Sequence, residues 1–238
     1  MVGEKERLAS NPDRETGERL EAVRERIAAA ANRSGRAPDS VRLVAASKTQ
    51  PPAALRAAYR MGVCDFGESY VQEAVNKRAA LGDLADLRWH LIGHLQRNKV
   101  AQALDCFELI HSLDSARLAA RLAGLRAGAA PQVLVQVNLG GEAGKSGVAP
   151  SELEALLDAV RAVVKVDGLM TIPARAATAQ DSRRQFAHLR ELRNGLARLT
   201  GLELNELSMG MSDDFEVAIE EGATIVRIGR AIFGERMR

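Results

Sequence analysis

The sequence predicts an α/β protein: a single (β/α)8 TIM barrel with one extra N-terminal helix, in one domain spanning residues 1–238. Eight strand-like apolar runs alternate with helix-like segments, and such alternation is typical of parallel βαβ units. The length of 238 residues is within the ~200–250 residues of many one-domain barrels. A doubly wound open sheet is the alternative, but no glycine-rich dinucleotide turn follows the first strand.

The elements of the first half follow from apolar periodicity and helix boundary signals. Residues 15–32 are amphipathic and form the extra helix, and the first strand is expected at 41–46. The next helix begins at the Pro51–Pro52 pair and ends by Gly62, since proline favours helix starts and glycine favours helix ends. The elements that follow are strand 63–66, helix 70–81, strand 87–93, helix 97–104, strand 106–113 and helix 115–125.

The second half continues the same alternation to the end of the barrel. The run "PQVLVQVNL" is the longest strand, and "TIVRIG" is the last, followed by a final helical turn. Between these limits the pattern places every strand before a helix. The expected elements are strand 131–139, helix 151–163, strand 165–172, helix 182–199, strand 204–210, helix 214–221 and strand 224–229.

Composition excludes several classes of protein. The 33 basic and 31 acidic residues nearly cancel without any basic block, so nucleic-acid binding is not indicated. No apolar run approaches the ~20 residues of a membrane span, and the charged N-terminus lacks an apolar signal region. Cys64 and Cys106 have neither metal-type spacing nor a disulfide framework and are expected to be reduced core thiols. A soluble cytoplasmic protein is therefore expected.

The stretch "LVAASKTQ" places Lys48 at the tip of the first strand. Lysine is rarely buried without a partner. Either Lys48 reaches solvent where the strand ends, or its amine is a nucleophile held in a site.

Two stretches near the end of the chain suit a phosphate group. Barrels collect function at the C-terminal ends of their strands, and a phosphate site often follows strands seven and eight. There "LSMGMSDD" supplies Ser208, and "RIGRAIFG" supplies Gly229 with Arg230 at the start of a helical turn. Asp213 and Glu216 have capping-box spacing, so a capped helix after a tight turn is the alternative.

Arg227 is expected to be enclosed. Side chains alternate along "TIVRIG", so Arg227 shares a face with Ile225 in a strand that is covered on both faces. A buried arginine needs an acceptor. A carboxylate such as Glu68 or Glu206 is one candidate, and an atom of a ligand is the other.

Two further patterns resemble a phosphate loop and a metal site, but neither meets the requirements. "GGEAGKSG" resembles a phosphate loop, but position 139 is Leu139 rather than glycine, and the helix is expected near residue 151. Lys145 could still line the mouth of the barrel. His90 and His94 lie in and after a strand-like run with no carboxylate to complete a zinc site, so no metal is predicted. His90 is expected in or beside the barrel core.

The motifs together resemble a known family. "ASKTQP", "FGESYVQEA", "WHLIGHLQRNK", "GKSGV", "GLMTIP" and "LSMGMSDDFEVAIEEGATIVRIGRAIFG" are similar, in order, to the pyridoxal phosphate homeostasis proteins of the YggS/PROSC family. That family is a single barrel related to the N-terminal domain of alanine racemase. Its members bind pyridoxal 5′-phosphate (PLP) as a lysine Schiff base.

The resemblance implies the residues of a PLP site. Lys48 matches the Schiff-base lysine, and Arg227 matches the arginine that faces the pyridine nitrogen. Ser69 stands where the family usually has asparagine; serine can hydrogen-bond but is shorter. The other implied cofactor-binding positions, centred on the phosphate, are Ser208, Met209, Gly229 and Arg230, the last standing where relatives often have threonine.

The function implied is PLP homeostasis without robust turnover, with no catalytic residue. An arginine at the ring nitrogen opposes its protonation and weakens PLP as an electron sink. PLP-dependent enzymes are the expected acceptors, and a monomer is expected. The alternative is a PLP-dependent amino-acid racemase, which needs a second base. Alanine racemase takes that base from a C-terminal domain, and no such domain is expected in this chain. A barrel enzyme for sugar phosphates is a third reading, with Lys48 as general base, but it explains Arg227 less well.

Overall fold

Eight parallel strands close into a barrel in the order in which they occur along the chain. The computed structural model describes residues 12–125, 132–142, 144, 146–173 and 178–235. Helix α1, Pro12–Arg33, precedes the barrel. The strands are β1 (Arg42–Ala46), β2 (Asp65–Glu68), β3 (Arg88–Leu91), β4 (Leu109–Leu113), β5 (Gln132–Gln136), β6 (Lys165–Met170), β7 (Glu206–Ser208) and β8 (Ile225–Ile228).

A helix follows each strand, so the predicted TIM barrel with an extra N-terminal helix is confirmed. Short 3₁₀ turns at Arg97–Lys99 and Pro150–Glu152 lead into two of these helices. The helices are α2 (Pro52–Arg60), α3 (Val71–Ala80), α4 (Val100–Cys106), α5 (Ala116–Leu125), α6 (Leu153–Val160), α7 (Ala179–Thr200), α8 (Phe215–Glu220) and α9 (Arg230–Phe233).

The second strand begins two residues later than the sequence predicted. Gly62 ends helix α2 in the left-handed region, with φ of +82°, as expected of a terminal glycine. The backbone N–H of Val63 then donates to the carbonyl of Ala58 at 3.1 Å. Val63 therefore completes the end of the helix, and the strand ladder starts only at Asp65, opposite Arg88.

The barrel separates two apolar regions. A large core lies between the strands and the surrounding helices, while a small cluster fills the interior between strands: Val44, Leu109, Leu134, Met170 and Ile225. Helix α1 packs against α2, α8 and α9. Its Arg26 donates to Glu216 at 2.8 Å and lies 4.5 Å above the ring of Phe215. The extra helix thus covers the side of the barrel where the last strand meets the first.

Several local predictions can be compared with this architecture. Cys106 is buried and Cys64 is half-buried, and both are free thiols. Within the described residues, no helix combines the length and the apolar character needed to cross a membrane. Lys145 lies outside the described residues, and the helix after it begins only at Leu153, as the rejection of a phosphate loop requires.

Candidate functional site

A cavity of about 280 Å³ opens at the C-terminal ends of strands β1, β2, β3 and β8. This volume is near the lower end of the ~300–1,000 Å³ typical of small-molecule sites. Five of the sequence-predicted residues line it: Lys48, Ser69, Arg227, Gly229 and Arg230. The cavity is thus at the end of the barrel where function was expected.

The turn that carries Lys48 has a strained backbone. Lys48 is half-buried, and Thr49 beside it has a φ of +67°, which is unfavourable for a β-branched residue. The N–H of Thr49 donates to Glu73 Oε1 at 2.5 Å, and the N–H of Gln50 donates to the carbonyl of Ser47 at 2.9 Å. Such strain persists only where the surroundings hold it, and it concentrates at functional sites.

A buried lysine behind this turn supplies that support. Lys77 Nζ lies 2.7 Å from each of three oxygens: the Ser47 carbonyl, Glu68 Oε1 and Glu73 Oε1. Burial raises the pKa of Glu68, and hydrogen bonds from Lys77 and Ser47 oppose the rise. Lys77 therefore holds both the backbone of the turn and the carboxylate that binds the N–H of Thr49.

Arg227 forms the floor of the cavity and is only 3% exposed, as the alternation along its strand predicted. Its Nη1 donates to Ser208 Oγ at 2.6 Å, and its Nη2 donates to the carbonyl of Thr171 at 2.8 Å. Burial lowers the pKa of Arg227 to about 10, while the charge of Asp214 acts in the opposite direction. The guanidinium therefore stays positive at neutral pH.

The carboxylate partners considered for Arg227 are wrong. Glu68 is bound to Lys77 and Ser47, and Glu206 pairs with Arg42 at 3.5 Å. Among the described residues, no carboxylate lies within ion-pair distance of Arg227. Its two protein acceptors are a hydroxyl and a carbonyl, so its charge is available to a ligand in the cavity.

The loop after β7 contributes through Ser212 and Asp213 to the cavity wall, while Ser208 and Met209 are fully buried. Ser208 Oγ bonds to Arg227 and to His111 Nδ1, which is 2.8 Å away. Ser208 and Met209 are therefore not among the described residues that line the cavity. Their contact with a phosphate stays a prediction, and the Ser208 side chain serves Arg227.

The capping box considered at Asp213 and Glu216 does not form. Asp214 is the N-cap of α8, and its Oδ1 accepts the N–H of Met211 at 2.8 Å. Asp213 instead forms an ion pair with Arg230, and Glu216 pairs with Arg26. The chain takes this form because Gly210, at φ +94°, turns the backbone sharply before the helix.

The end of β8 brings polar donors to the cavity. Gly229 precedes α9, and a Cβ there would lie 2.9 Å from the carbonyl oxygen of Ala46. The N–H of Ala231 donates to Ser212 Oγ at 3.2 Å, and the exposed Arg230 begins the helix. A backbone N–H, a hydroxyl and a guanidinium lie close together here, and such groups suit an anion.

Ser69 is a half-buried residue of the cavity wall and directly follows β2. Its backbone passes close to Gly93, where a Cβ would lie 2.3 Å from the Ser69 carbonyl oxygen. Only glycine fits at that approach. The position of Ser69 is thus fixed by its backbone, and its contact with a cofactor stays a prediction.

Lys77, Thr171 and His111 support the site but were not predicted from the sequence. Lys77 could have been found, because it shares a helical stripe with the apolar residues Val71 and Ala74. His111 interrupts an apolar strand, which was a weaker signal. Thr171 acts through its backbone, which no residue pattern reveals. His90 lies in the barrel interior at 2% exposure, as predicted.

Comparisons with known proteins identify the family of this chain. The model of the alanine racemase N-terminal domain matches residues 19–237. The pyridoxal phosphate homeostasis protein of Aquifex aeolicus is 49% identical over 223 residues, which cover 92% of this chain and 97% of the relative. The protein of the same name from Pseudomonas aeruginosa is 48% identical, with 92% and 95% covered.

Solved structures give the same result. PipY of Synechococcus elongatus PCC7942, a structure with PLP bound, superposes with a TM-score of 0.82 at 41% identity, covering 92% of this chain and all of that one, 100%. Alanine racemase from Corynebacterium glutamicum has a TM-score of 0.66 at 20% identity and shows a shared fold alone. The chain therefore belongs to the alanine racemase N-terminal domain family, and within it to the pyridoxal phosphate homeostasis proteins.

Proposed function

We propose that this chain binds PLP in the cavity, as a Schiff base with Lys48, and serves PLP homeostasis without robust turnover. The observation that carries the proposal is that Lys48 and Arg227 line one cavity beside a set of anion-binding donors. PLP presents an aldehyde, a pyridine nitrogen and a phosphate. Each of these groups has a chemical counterpart among the residues of that cavity.

The residues fit the three groups by their chemistry. The amine of Lys48 is the nucleophile for the aldehyde. The donors around Ser212, Gly229 and Arg230 suit the phosphate. Arg227 is the residue proposed to face the ring nitrogen. The PLP bound in PipY and the names of the curated relatives support PLP as the ligand.

Arg227 limits the chemistry that such a site performs. Bound PLP supplies an electron sink, which is strongest when the ring nitrogen carries a proton. A guanidinium has only N–H donors, so it bonds to an unprotonated nitrogen and opposes its protonation. Arg227 therefore favours holding the cofactor over reactions that place negative charge on it.

The cavity walls also favour a carrier over a racemase. A racemase requires a base on each face of the substrate carbon. Besides Lys48, the titratable residues known to line the cavity are Asp213, Arg227 and Arg230. Asp213 is paired with Arg230, and arginine does not act as a base at neutral pH. We propose PLP-dependent enzymes as acceptors and a monomer as the working form.

The test is the visible absorption of the purified protein after PLP is added and the excess is removed. We expect a band characteristic of a Schiff base in the wild type and its loss in Lys48→Ala. Lys165→Ala is the matched control, because Lys165 begins β6 at the opposite end of the barrel and pairs with Asp167 at 2.9 Å. A band that survives Lys48→Ala would refute the assignment.

A further inference from the structure

The interior of the barrel carries a row of polar side chains where such barrels normally hold branched apolar residues. Asp65, His90, His111 and Ser208 lie on four different strands and are buried. We refer to these four residues as the interior chain. Buried polar groups are unfavourable unless they are hydrogen-bonded, so each bond of the chain can be followed.

The lower half of the interior chain begins at the N-terminal ends of the strands. Arg88 Nε and Nη2 donate to the two carboxylate oxygens of Asp65, at 2.9 and 2.5 Å. His90 Nε2 lies 2.8 Å from Asp65 Oδ1. His90 Nδ1 then lies 3.0 Å from His111 Nε2. The two imidazoles are thus linked in series to one carboxylate.

The upper half of the interior chain ends in the floor of the cavity. His111 Nδ1 is 2.8 Å from Ser208 Oγ, which accepts a hydrogen bond from Arg227 Nη1 at 2.6 Å. Four hydrogen bonds therefore join Asp65 to Arg227. A continuous path of side chains crosses the barrel from one end to the other.

The chemistry of the donors and acceptors leaves two possible directions for this path. Burial alone would raise the pKa of Asp65, but the hydrogen bonds that it accepts from His90 and Arg88 together outweigh burial and lower the pKa to about 2. The ionised Asp65 therefore accepts from His90 Nε2–H. If His90 is neutral, its Nδ1 accepts from His111 Nε2–H, and His111 Nδ1 accepts the hydroxyl proton of Ser208. Every donor then points toward Asp65.

The opposite direction requires one more proton. If His90 is an imidazolium, its Nδ1–H donates to His111, and His111 donates to Ser208. Arg88 already pairs with both oxygens of Asp65, so that proton would add a positive charge to an interior that also contains Arg227. Uncompensated buried charge is strongly unfavourable. The neutral arrangement, with every donor pointing toward Asp65, is therefore favoured.

We propose that Asp65, His90 and His111 are positioning residues, which turn the hydroxyl of Ser208 away from Arg227 and so hold its guanidinium at the cavity floor. The Ser208 oxygen then presents only lone pairs to Arg227. With Nη2 held by the Thr171 carbonyl, both terminal nitrogens of the guanidinium are oriented from below. The remaining N–H groups of Arg227 are left for a ligand.

The consequence for the cofactor rests on the proposed function. A guanidinium held in place keeps its N–H aimed at the ring nitrogen, so the interior chain maintains the unprotonated ring. A carboxylate at the far end of the barrel would thereby influence the electronic state of a cofactor that it does not touch. This influence would pass through hydrogen-bond direction rather than through packing.

The first experiment determines the proton positions in the protein without cofactor, by long-range ¹H–¹⁵N NMR of the histidine rings. The chain has four histidines, so single substitutions suffice for assignment. We expect His90 and His111 to be neutral, each with its proton on Nε2. A proton on His111 Nδ1, with His90 as an imidazolium, would overturn the proposed direction. PLP plays no part in this measurement.

Asp65→Asn tests whether the carboxylate sets the direction, with Arg88→Gln as the matched control. Both changes remove the ion pair between Arg88 and Asp65, so both should lower the thermal midpoint. We expect only Asp65→Asn to move His111 from one tautomer to a mixture, with its two ¹⁵N shifts moving toward each other. If the ¹⁵N shifts of His111 were unchanged in Asp65→Asn, or changed equally in both variants, the interior chain would have only a structural role.

A second pair of variants covers the case in which Asp65→Asn does not fold. In His111→Asn the side-chain oxygen can replace Nδ1 and accept from Ser208, whereas His111→Gln reaches toward His90 and leaves Ser208 without its acceptor. With PLP bound, we expect His111→Gln to change the balance of absorption bands more than His111→Asn does. Equal spectra would overturn the role of Ser208. A wild type without any PLP band would refute the proposed function instead, and leave the NMR result standing.

Discussion

Arg227 is the residue on which the chemistry of the cavity depends most. We expect Arg227→Glu to move bound PLP toward the ring-protonated form, because a carboxylate accepts a proton-bearing nitrogen where a guanidinium repels it. The measurement is the visible spectrum across a pH titration, with Arg227→Gln as the variant that removes the charge alone. A spectrum of Arg227→Glu that matches the wild type at every pH would show that Arg227 does not face the ring.

His111 gives the protein a predictable loss of stability in acid. Burial lowers the pKa of His111 well below 6.5, and the positive charges of Arg227 and Arg42 act in the same direction. Below pH 6.5 His111 therefore binds a proton in the unfolded chain but stays unprotonated in the folded protein. The free energy of unfolding must fall as the pH falls, by up to about 1.4 kcal/mol per pH unit from His111.

His111→Gln removes this titration. Between pH 6 and pH 5 we expect the unfolding free energy of the wild type to decline more steeply than that of the variant, by roughly 1 kcal/mol. Urea denaturation at both pH values measures the difference. Parallel declines would mean that the folded protein protonates His111 readily.

At the residue scale the sequence predicted burial better than it predicted bonding. The alternation along β8 placed Arg227 inside the protein, because side chains on a strand change sides at every residue. Its acceptors are Ser208, which lies in β7, and the carbonyl of Thr171, which directly follows β6. The register of the barrel decides which polar group contacts Arg227, and the sequence does not reveal that register. Glu68 and Glu206 were therefore considered as partners, and neither pairs with Arg227.

The elements around the site depend on a few backbone positions, of which Gly210 is the sharpest. Its φ is +94°, and a Cβ there would lie 2.6 Å from the Cβ of Ala218 and 2.9 Å from Phe215 Cα. The left-handed conformation alone costs a residue with a Cβ ~1–2 kcal/mol, and the contacts add to it. We expect Gly210→Ala to lower the free energy of unfolding by more than about 2 kcal/mol and to weaken PLP binding.

Gly195 is the matched control for that substitution. It lies within helix α7, and a Cβ there would meet nothing within 4 Å. Replacing a helical glycine by alanine stabilises by roughly 0.5–1 kcal/mol. Gly195→Ala should therefore raise the midpoint of denaturation while Gly210→Ala lowers it. If both substitutions shifted the midpoint of denaturation in the same direction, the backbone conformation of Gly210 would not explain the loss of stability.

Element boundaries were predicted least well where one residue serves two elements. Val63 reads as the start of a strand by its side chain, yet its N–H completes the end of α2. The capping residue of α8 shifted from Asp213 to Asp214 for a similar reason, since the turn at Gly210 fixes where the helix can begin. The periodicity of apolar side chains does not predict these backbone hydrogen bonds.

The whole molecule was the most predictable scale. Eight strands that alternate with helices can form few topologies. Strands that are consecutive along the chain usually lie side by side, and the connections between parallel strands are right-handed. The closed barrel then brings residues as distant as Lys48 and Arg227 to one cavity. The fold and the place of the site could therefore be predicted, whereas the interior chain, which links four strands through side chains and reaches Arg227 on a fifth, could not.

At this scale we expect almost no turnover. The wild-type protein with PLP should exchange the α-hydrogen of L- or D-alanine in heavy water only at trace rates. Arg227 weakens the electron sink, and a missing acid or base forfeits ~10²–10⁴-fold per group. NMR of the alanine signal follows the exchange, with Lys48→Ala as the control. Rapid exchange that depends on Lys48 would favour a racemase over a carrier.

The proposed Schiff base with Lys48 is tested by locating the covalent bond between PLP and the protein. Borohydride reduction of the PLP-loaded protein fixes a Schiff base permanently, and mass spectrometry of its peptides identifies the modified lysine among the six in the chain. We expect one pyridoxyl group, on Lys48. A pyridoxyl group mainly on Lys77, Lys99 or Lys145, or none at all, would contradict this expectation.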